Sequence, residues 1–186
     1  KLENDGFVSE EIMQKIIDKG LFGISIPEEY GGLNFNMKEQ ILLTFEFTRA
    51  SAVYRSRFST TIGLCSQAIL DFGTEEQKQK FLPGMAKGKI VGSFALTEPN
   101  AGSDASSLET EAIKEGDSYI INGRKKYITN APYADVFLVM AKTDLSAKGS
   151  NGISSFLVDS NLKGIEIGKT PKMLGQIGSS SPEVHF

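Results

Sequence analysis

The chain has 186 residues and a mass of 20.2 kDa, which suits one medium domain or two small ones. Its composition, 40% hydrophobic and 23% charged, is that of a globular protein and excludes a disordered chain. Twenty Lys and Arg residues against 23 Asp and Glu residues give a net charge of −3, which argues against nucleic-acid binding. The best apolar run, Val136 to Ala141, is far shorter than the roughly 20 residues of a membrane-spanning helix, so we expect a soluble protein.

Two scarce residue types exclude further classes of site. The chain contains one cysteine, Cys65, and one histidine, His185, which together cannot form an internal disulfide or a zinc cluster. A Ser/His/Asp triad would have to use His185, the penultimate residue, and we do not expect one. Cys65 is interpreted as a small apolar core residue. Because the chain lacks an initiator Met and stops within a strand pattern, we expect it to be a fragment of a longer protein.

The first 90 residues have the 3.6-residue period of helices. Ser9 is a predicted N-cap, and Gly20 lies where the first helix should end. Two capping-box spacings, Asn36 with Glu39 and Thr74 with Gln77, predict two more helix starts. A further helix is predicted from the apolar series at Phe58, Ile62, Cys65, Ile69 and Phe72, and the last helix is predicted to end before Pro83.

From about residue 91 the period changes to two, which is typical of strands. The dipeptide Asn122-Gly123 predicts a hairpin that joins a strand at 119–121 to a strand at 124–129. Further strands are predicted at 108–114, 136–142, 153–158, 164–168 and 183–186. The sequence therefore predicts an α+β fold, in which an N-terminal helical domain (1–90) precedes an antiparallel β-barrel or β-sheet domain (91–186).

The segment from Ser93 to Asp104 is unusual for its small residues after a strand-like run. Backbone N–H groups in such a turn can converge on an anion, and the hydroxyl of Ser103 adds a donor. The alternative is a surface loop rich in turn-forming residues. Neither a G-x-G fingerprint nor a P-loop occurs in the chain, so a nucleotide-like cofactor would have to bind by other means.

A second segment, 125–131, combines an aromatic ring with a hydroxyl. On a strand, Tyr127 and Thr129 would share one face, where they could pack against a planar cofactor and hydrogen-bond to it. The alternative is an exposed strand face that carries Tyr and Thr because both favour β structure.

These two segments resemble the acyl-CoA dehydrogenase family. The similarity lies in Leu96-Thr97-Glu98-Pro99-Asn100-Ala101-Gly102-Ser103-Asp104 and in Ile121-Asn122-Gly123-Arg124-Lys125-Lys126-Tyr127-Ile128-Thr129-Asn130-Ala131. It extends, in the family's order, to residues 23–32, 73–83 and 172–176. The resemblance covers nearly the whole chain and implies its N-terminal helical and middle β domains.

The resemblance implies an FAD-dependent enzyme that removes hydrogen from the α and β carbons of an acyl-CoA and passes electrons to an electron-transferring flavoprotein. It also implies a homotetramer in the full-length form, found in the cytoplasm of bacteria or the mitochondrial matrix of eukaryotes. An acyl-CoA oxidase or a flavin monooxygenase on the same scaffold stays open. So does a non-catalytic relative that binds an acyl-CoA or a protein partner.

By position, the resemblance assigns flavin contacts to one run of residues in each segment. Thr129 would donate to flavin N5, and Tyr127 stands where the family usually has a stacked Trp. Ser103 would approach the pyrophosphate and also contact the acyl-CoA. The full set of expected cofactor-binding residues is Phe94, Ala95, Leu96, Thr97, Gly102, Ser103, Tyr127, Ile128 and Thr129.

We expect no catalytic residue in this chain. Family members carry the glutamate base in a C-terminal helical domain, which the chain does not reach. Glu98 is acidic and adjacent to the flavin segment, but the family does not use this position as the base. The 186 residues alone are therefore expected to be inactive and to bind FAD poorly or not at all.

Overall fold

The computed structural model describes residues 6–186, which divide into two compact units. The helical unit comprises the described residues up to Gly92 together with Lys172–Ser179. The β unit comprises Ser93–Pro171 and Ser180–Phe186. The predicted α+β class, with a helical region followed by a sheet region, is confirmed, and the sheets are open rather than closed into a barrel.

The helical unit is built from five α-helices and one π-helical turn in the described residues. They are α1 (Glu10–Asp18), α2 (Met37–Ala50), α3 (Ala52–Thr60), the π turn (Thr61–Cys65), α4 (Ser66–Phe72) and α5 (Glu75–Ala86). Short 3-10 turns at Leu21–Gly23 and Glu28–Tyr30 follow α1.

Helix ends follow the local sequence signals. The Asn36 side chain accepts from the Glu39 N–H while the Glu39 carboxylate accepts from the Asn36 N–H, which completes the capping box of α2. Thr74 and Gln77 make the same reciprocal pair at α5. Gly20 follows α1 with φ of 69°, the left-handed conformation that a non-glycine residue adopts only at a cost. These predictions are confirmed.

Two helix predictions were wrong in detail. The series from Phe58 to Phe72 is not one α-helix, because the π turn interrupts it where the Thr60 and Thr61 hydroxyls bond to the backbone of Gly92. The last helix does not end before Pro83, which lies inside α5. Three buried residues of its final turns, Leu82, Met85 and Ala86, hold the helix together past the missing hydrogen bond.

Aromatic rings form the centre of the helical unit. Phe58 is 1% exposed and lies 6.0 Å from the Phe22 ring and 5.5 Å from the Phe47 ring, centroid to centroid. Ile16, Leu21, Ile24 and Ile62 complete this buried cluster. Cys65 is fully buried, so its interpretation as a core residue is confirmed.

The β unit contains two sheets. The strands are β1 (Gly92–Ala95), β2 (Glu111–Glu115), β3 (Ser118–Asn122), β4 (Arg124–Lys125), β5 (Val136–Lys142), β6 (Ile153–Asp159), β7 (Glu166–Ile167) and β8 (Val184–His185). The larger sheet has the order β1-β5-β2-β3, with β6 also paired to β5, and the smaller has the order β4-β8-β7. The β2–β3 and β5–β6 pairs are antiparallel, whereas the contact of β2 with β5 is parallel, so the larger sheet is mixed.

The hairpin predicted at Asn122-Gly123 was wrong. Strand β3 pairs with β2 across a turn at Gly116, whereas β4 leaves that sheet and pairs with β8. Gly123 lacks the positive φ that a two-residue hairpin turn requires. It is instead a place of close approach, because a Cβ there would lie 2.2 Å from the Oγ1 of Thr110. Its N–H and C=O both bond to the backbone of Phe186.

The strand predicted over 124–129 is also shorter than expected, because β4 ends at Lys125. The core of the β unit lies beneath this region and includes Phe137, which meets the Phe186 ring at 5.6 Å and 90°. The other buried members of the cluster are Ala95, Ile128, Ala131, Val139, Val158 and Val184.

Candidate functional site

The two segments singled out in the sequence lie side by side in the β unit. The Lys126 N–H donates to the Thr97 carbonyl at 2.7 Å, and the Ser93 hydroxyl donates to the Thr129 carbonyl at 2.7 Å. A third bond runs from the Lys125 ammonium to the Leu96 carbonyl at 3.1 Å. Residues 29 to 36 positions apart in the chain thus form one continuous surface.

The expected site residues divide by exposure. The side chains of Ala95 and Ile128 belong to the core, at 0% and 1% exposure, so only their backbone atoms are available to a ligand. Phe94, Leu96, Thr97 and Thr129 are half-buried, and Gly102, Ser103 and Tyr127 are exposed.

Tyr127 has a strained backbone. Its φ is 59°, in the left-handed region that costs an aromatic residue about 1–2 kcal/mol. The conformation is held from both sides, since the Lys126 N–H bonds to Thr97 and the Ile128 N–H bonds to Pro182. Tyr127 and Thr129 therefore do not share a strand face as predicted. The left-handed turn instead directs the Tyr127 ring outward, at 56% exposure, and strain of this kind is concentrated at functional sites.

The Thr129 hydroxyl lies 3.1 Å from the Ser181 hydroxyl. A hydroxyl has one donor and two acceptor positions, so Thr129 keeps its proton for a ligand when Ser181 is the donor. Ser181 and Tyr127 also line a cavity of about 290 Å³, together with Lys126, Lys169, Pro171 and Glu183. This volume is near the lower end of the range for small-molecule sites.

A larger cavity of about 730 Å³ lies elsewhere on the β unit. It is lined by residues of β3 and β6 and by Leu162–Ile165 and Phe186. None of the expected cofactor-binding residues lines it, so its size does not make it the candidate site.

The segment also contains a buried ion pair that the sequence prediction missed. The Glu98 carboxylate and the Lys125 ammonium are 2.7 Å apart, and their side chains are 2% and 0% exposed. Glu98 also accepts from the N–H groups of Glu109 and Thr110 and from the Thr110 hydroxyl. The strand pattern gave no signal for this pair, because alternation places Lys125 on the face of Tyr127 and Thr129 and its partner lies 27 residues away.

The environment of this pair sets the protonation of Glu98. Burial raises the pKa of the Glu98 carboxyl, but hydrogen bonds from Lys125, Thr110 and the Glu109 N–H outweigh burial and leave the pKa below its usual value. Burial lowers the pKa of the Lys125 ammonium, and the bond to Glu98 opposes this. A carboxylate held ionised and closed off from solvent is a poor proton acceptor, which agrees with the expectation that Glu98 is not a catalytic base.

The turn after Glu98 leaves room for a ligand. The backbones of Glu98 and Ala101 bond to each other in both directions, which closes the turn. Gly102 follows, and a Cβ there would meet no atom within 4 Å. With the exposed hydroxyl of Ser103 and the exposed ring of Tyr127, these residues fit a flat, anionic cofactor such as FAD.

Residues 6–186 carry neither a metal-binding cluster nor a membrane-spanning helix. They contain no group of three or more His, Cys, Asp or Glu side chains arranged to hold a metal ion. His185 is half-exposed, with its Nε2 atom 4.0 Å from a Glu183 carboxylate oxygen. In the same part of the chain, no helix is both long and apolar enough to cross a membrane.

The family is decided by comparison with family models. The model of the acyl-CoA dehydrogenase N-terminal domain matches residues 1–89, and that of the acyl-CoA dehydrogenase middle domain matches residues 93–186. The chain belongs to the acyl-CoA dehydrogenase family. Acyl-CoA dehydrogenases are oxidoreductases, and the resemblance carried by residues 96–104 and 121–131 is confirmed.

Relatives in the acyl-CoA dehydrogenase family include enzymes with different names. A 3-(aryl)acrylate reductase of Clostridium sporogenes is 43% identical over 94% of this chain and 46% of its own. An acyl-CoA dehydrogenase of Bacillus subtilis is 42% identical over 95% and 46%. Subunit CarC of the caffeyl-CoA reductase-Etf complex of Acetobacterium woodii is 40% identical over 99% and 48%. The chain spans about half the length of these relatives.

Solved structures agree with this assignment. A glutaryl-CoA dehydrogenase from Mycobacterium smegmatis, in complex with FADH2, is 30% identical and has a TM-score of 0.90. The match covers 99% of this chain and 46% of that chain.

Proposed function

We propose that the protein is an FAD-dependent acyl-CoA dehydrogenase and that this chain supplies one wall of its flavin and acyl-CoA site. The observation that carries the proposal is the hydrogen-bonded junction of Leu96 and Thr97 with residues 125–129, beside the outward-facing ring of Tyr127. In this proposal the helical domain comprises 1–90 and the cofactor-contacting β domain comprises 91–186.

Each exposed group has a role in the proposal. FAD, when bound, supplies the acceptor for the hydride that leaves the β carbon of the acyl thioester. When FAD is bound, the run from Phe94 to Thr97 would lie along the flavin ring, the Tyr127 ring would stack near it, and the Thr129 hydroxyl would donate to flavin N5. Gly102 and Ser103 approach the pyrophosphate and the CoA moiety.

The base that removes the α proton lies outside these 186 residues. Such a base must be an accessible carboxylate in a dry pocket. Glu98, the acid within the candidate flavin segment from Phe94 to Ser103, is committed to Lys125 and to the N–H groups of residues 109 and 110. We therefore expect the 186-residue chain alone to lack activity and to bind FAD weakly.

Electrons would pass to an electron-transferring flavoprotein, and the full-length protein would be a homotetramer.

A second candidate function is the reverse reaction, in which an enoyl thioester or acrylate is reduced. It is favoured by two relatives, the 3-(aryl)acrylate reductase and the CarC subunit of the caffeyl-CoA reductase-Etf complex. The same residues would hold FAD in either direction.

The proposal is tested with the protein expressed from its complete coding sequence. We expect one FAD per protomer and bleaching of the flavin absorbance on addition of an acyl-CoA. Thr129→Val removes the hydroxyl and is expected to weaken FAD binding by about three- to tenfold, the value of one hydrogen bond. Thr143→Val, whose hydroxyl bonds to Ser154 in the β5–β6 hairpin, is the matched control.

A protein that is purified without flavin and does not take up added FAD contradicts the proposal. Equal FAD affinity in the Thr129→Val and Thr143→Val variants would show that the Thr129 hydroxyl does not bind FAD. Bleaching by an acyl-CoA favours dehydrogenation, and flavin reoxidation by an enoyl-CoA or an arylacrylate favours the second candidate.

A further inference from the structure

The Lys125 ammonium uses all of its hydrogen-bonding capacity inside the β unit. An ammonium has three donors, and those of Lys125 reach the Glu98 carboxylate at 2.7 Å, the Met140 carbonyl at 2.7 Å and the Leu96 carbonyl at 3.1 Å. Two of the three acceptors are main-chain atoms, one in β5 and one just beyond β1. The lysine therefore joins its own strand, β4, to β5 and to the segment 96–98.

The Glu98 carboxylate is equally committed. Its oxygens accept from Lys125, from the N–H groups of Glu109 and Thr110, and from the Thr110 hydroxyl. The start of β2 is thus tied to the turn that follows Thr97. All groups of the pair are satisfied within the protein.

The geometric effect of the pair falls on Thr97. The Leu96 carbonyl and the Thr97 N–H belong to one planar peptide group, so the bond from Lys125 to that carbonyl also orients the N–H. The next peptide group is fixed as well, because the Thr97 carbonyl accepts from the Lys126 N–H at 2.7 Å. The two peptide planes that flank Thr97 are therefore held by two adjacent residues, Lys125 and Lys126.

Stability alone is a weak reason for a buried ion pair. Taking two charges out of water is costly, and a neutral pair of similar volume is often at least as stable. What the ion pair adds here is a fixed direction for the backbone beside the candidate flavin site. Charged hydrogen bonds are short and directional, which suits them to this purpose.

We propose that Glu98 and Lys125 are positioning residues for the cofactor site, holding the backbone N–H of Thr97 in the direction that binds the flavin ring. This inference rests on the proposed function. The pair touches no ligand itself and acts through the Leu96–Thr97 peptide group.

The test uses the full-length protein and FAD itself. Lys125→Met retains the length of the side chain and removes the three donors, and Lys114→Met, on the exposed face of β2, is the matched control. We expect Lys125→Met to weaken FAD binding by about tenfold or more, because small displacements of a binding group have effects of this size. The absorbance spectrum of the flavin that remains bound is expected to shift, and the control is expected to leave both quantities unchanged.

A double variant separates positioning from stability. Glu98→Gln combined with Lys125→Met removes both charges, so the melting temperature is expected to recover relative to Lys125→Met alone. Positioning predicts that FAD affinity stays low in the double variant, because nothing then holds the Leu96 carbonyl. Recovery of both quantities together overturns the inference. If Lys125→Met does not fold, the double variant alone serves, and wild-type affinity and spectrum in that variant overturn the inference.

The result is distinguishable from failure of the proposed function. Wild-type protein that binds no FAD contradicts the proposed function itself. Wild-type protein that binds FAD, with a folded Lys125→Met variant of equal affinity and spectrum, contradicts the positioning role alone.

Discussion

Replacing Gly123 with alanine is expected to destabilise the β unit, because the new methyl group has no room. Its Cβ would lie 2.2 Å from Oγ1, 2.6 Å from Cβ and 2.6 Å from Cγ2 of Thr110. Thr110 cannot easily move away, since its N–H and hydroxyl both bond to the buried Glu98 carboxylate. Gly123 itself is fixed by two backbone hydrogen bonds to Phe186.

The size of the effect follows from these contacts. Overpacking costs about 1–3 kcal/mol. Loss of a hydrogen bond to a charged group, if Thr110 is displaced from Glu98, adds about 1.5–3 kcal/mol. Alanine also lowers the conformational entropy of the unfolded chain, which stabilises the folded state by about 0.4–1 kcal/mol. Gly123→Ala is therefore expected to lower the free energy of unfolding by about 2–4 kcal/mol.

The assay is urea unfolding followed by circular dichroism, with a double-mutant cycle. Thr110→Gly removes all three clashing atoms, so Gly123→Ala is expected to cost at least about 1 kcal/mol less in that background. Had Gly123 been required for a hairpin turn, the penalty would come from its φ and would be the same in both backgrounds. Additive effects, or a single-variant loss below about 1 kcal/mol, would refute the close-contact explanation.

Three further predictions use the same unfolding measurements. Tyr127→Asn is expected to leave the free energy of unfolding within about 1 kcal/mol of the wild-type value, because asparagine tolerates the left-handed backbone. In the full-length protein the same substitution is expected to lower FAD affinity. A large loss of stability would contradict the view that the backbone is strained. The lowered pKa of Glu98 means that its ionised form stabilises the fold above the usual glutamate pKa and that this contribution is lost as pH falls through the lowered pKa. Glu98→Gln should flatten the dependence of stability on pH in the acidic range below the usual value of about 4.3, and parallel profiles would argue against it. Thr74→Ala removes the hydroxyl that accepts from the Gln77 N–H and is expected to lower the free energy of unfolding by about 1 kcal/mol. Thr74→Ser keeps a hydroxyl and should lower it less, and equal losses in the two variants would indicate that the cap is not the cause.

The parts of the fold that could be predicted from the sequence depend on neighbours in the chain. A capping box involves residues three apart, so Asn36 and Thr74 identify helix starts without any tertiary information. The Asn122-Gly123 prediction failed because that dipeptide is governed by distant partners. Thr110 approaches Gly123 from one side, and Phe186 occupies its hydrogen bonds.

In the candidate site, too, the features set by local sequence were predicted and those set by distant partners were not. The adjacency of Thr97 to residues 125–129 followed from the family motifs, which name both segments. Periodicity predicted that Tyr127 and Thr129 share a strand face, but tertiary hydrogen bonds impose a left-handed residue there. The partner of Lys125 was missed because strand patterns give the direction of a side chain and do not identify what it meets across the sheet.

The ion pair of Glu98 and Lys125 has a consequence for how the site can evolve. Four of its bonds end on main-chain atoms, namely the carbonyls of Leu96 and Met140 and the N–H groups of Glu109 and Thr110. Every amino acid other than proline supplies those atoms, so the side chains at positions 96, 109 and 140 are free to change without loss of the frame, whereas Thr110 also contributes its hydroxyl. Mutational tolerance should therefore be high at positions 96, 109 and 140 and low at positions 98 and 125. A library that varies the former set could alter ligand preference while the scaffold persists.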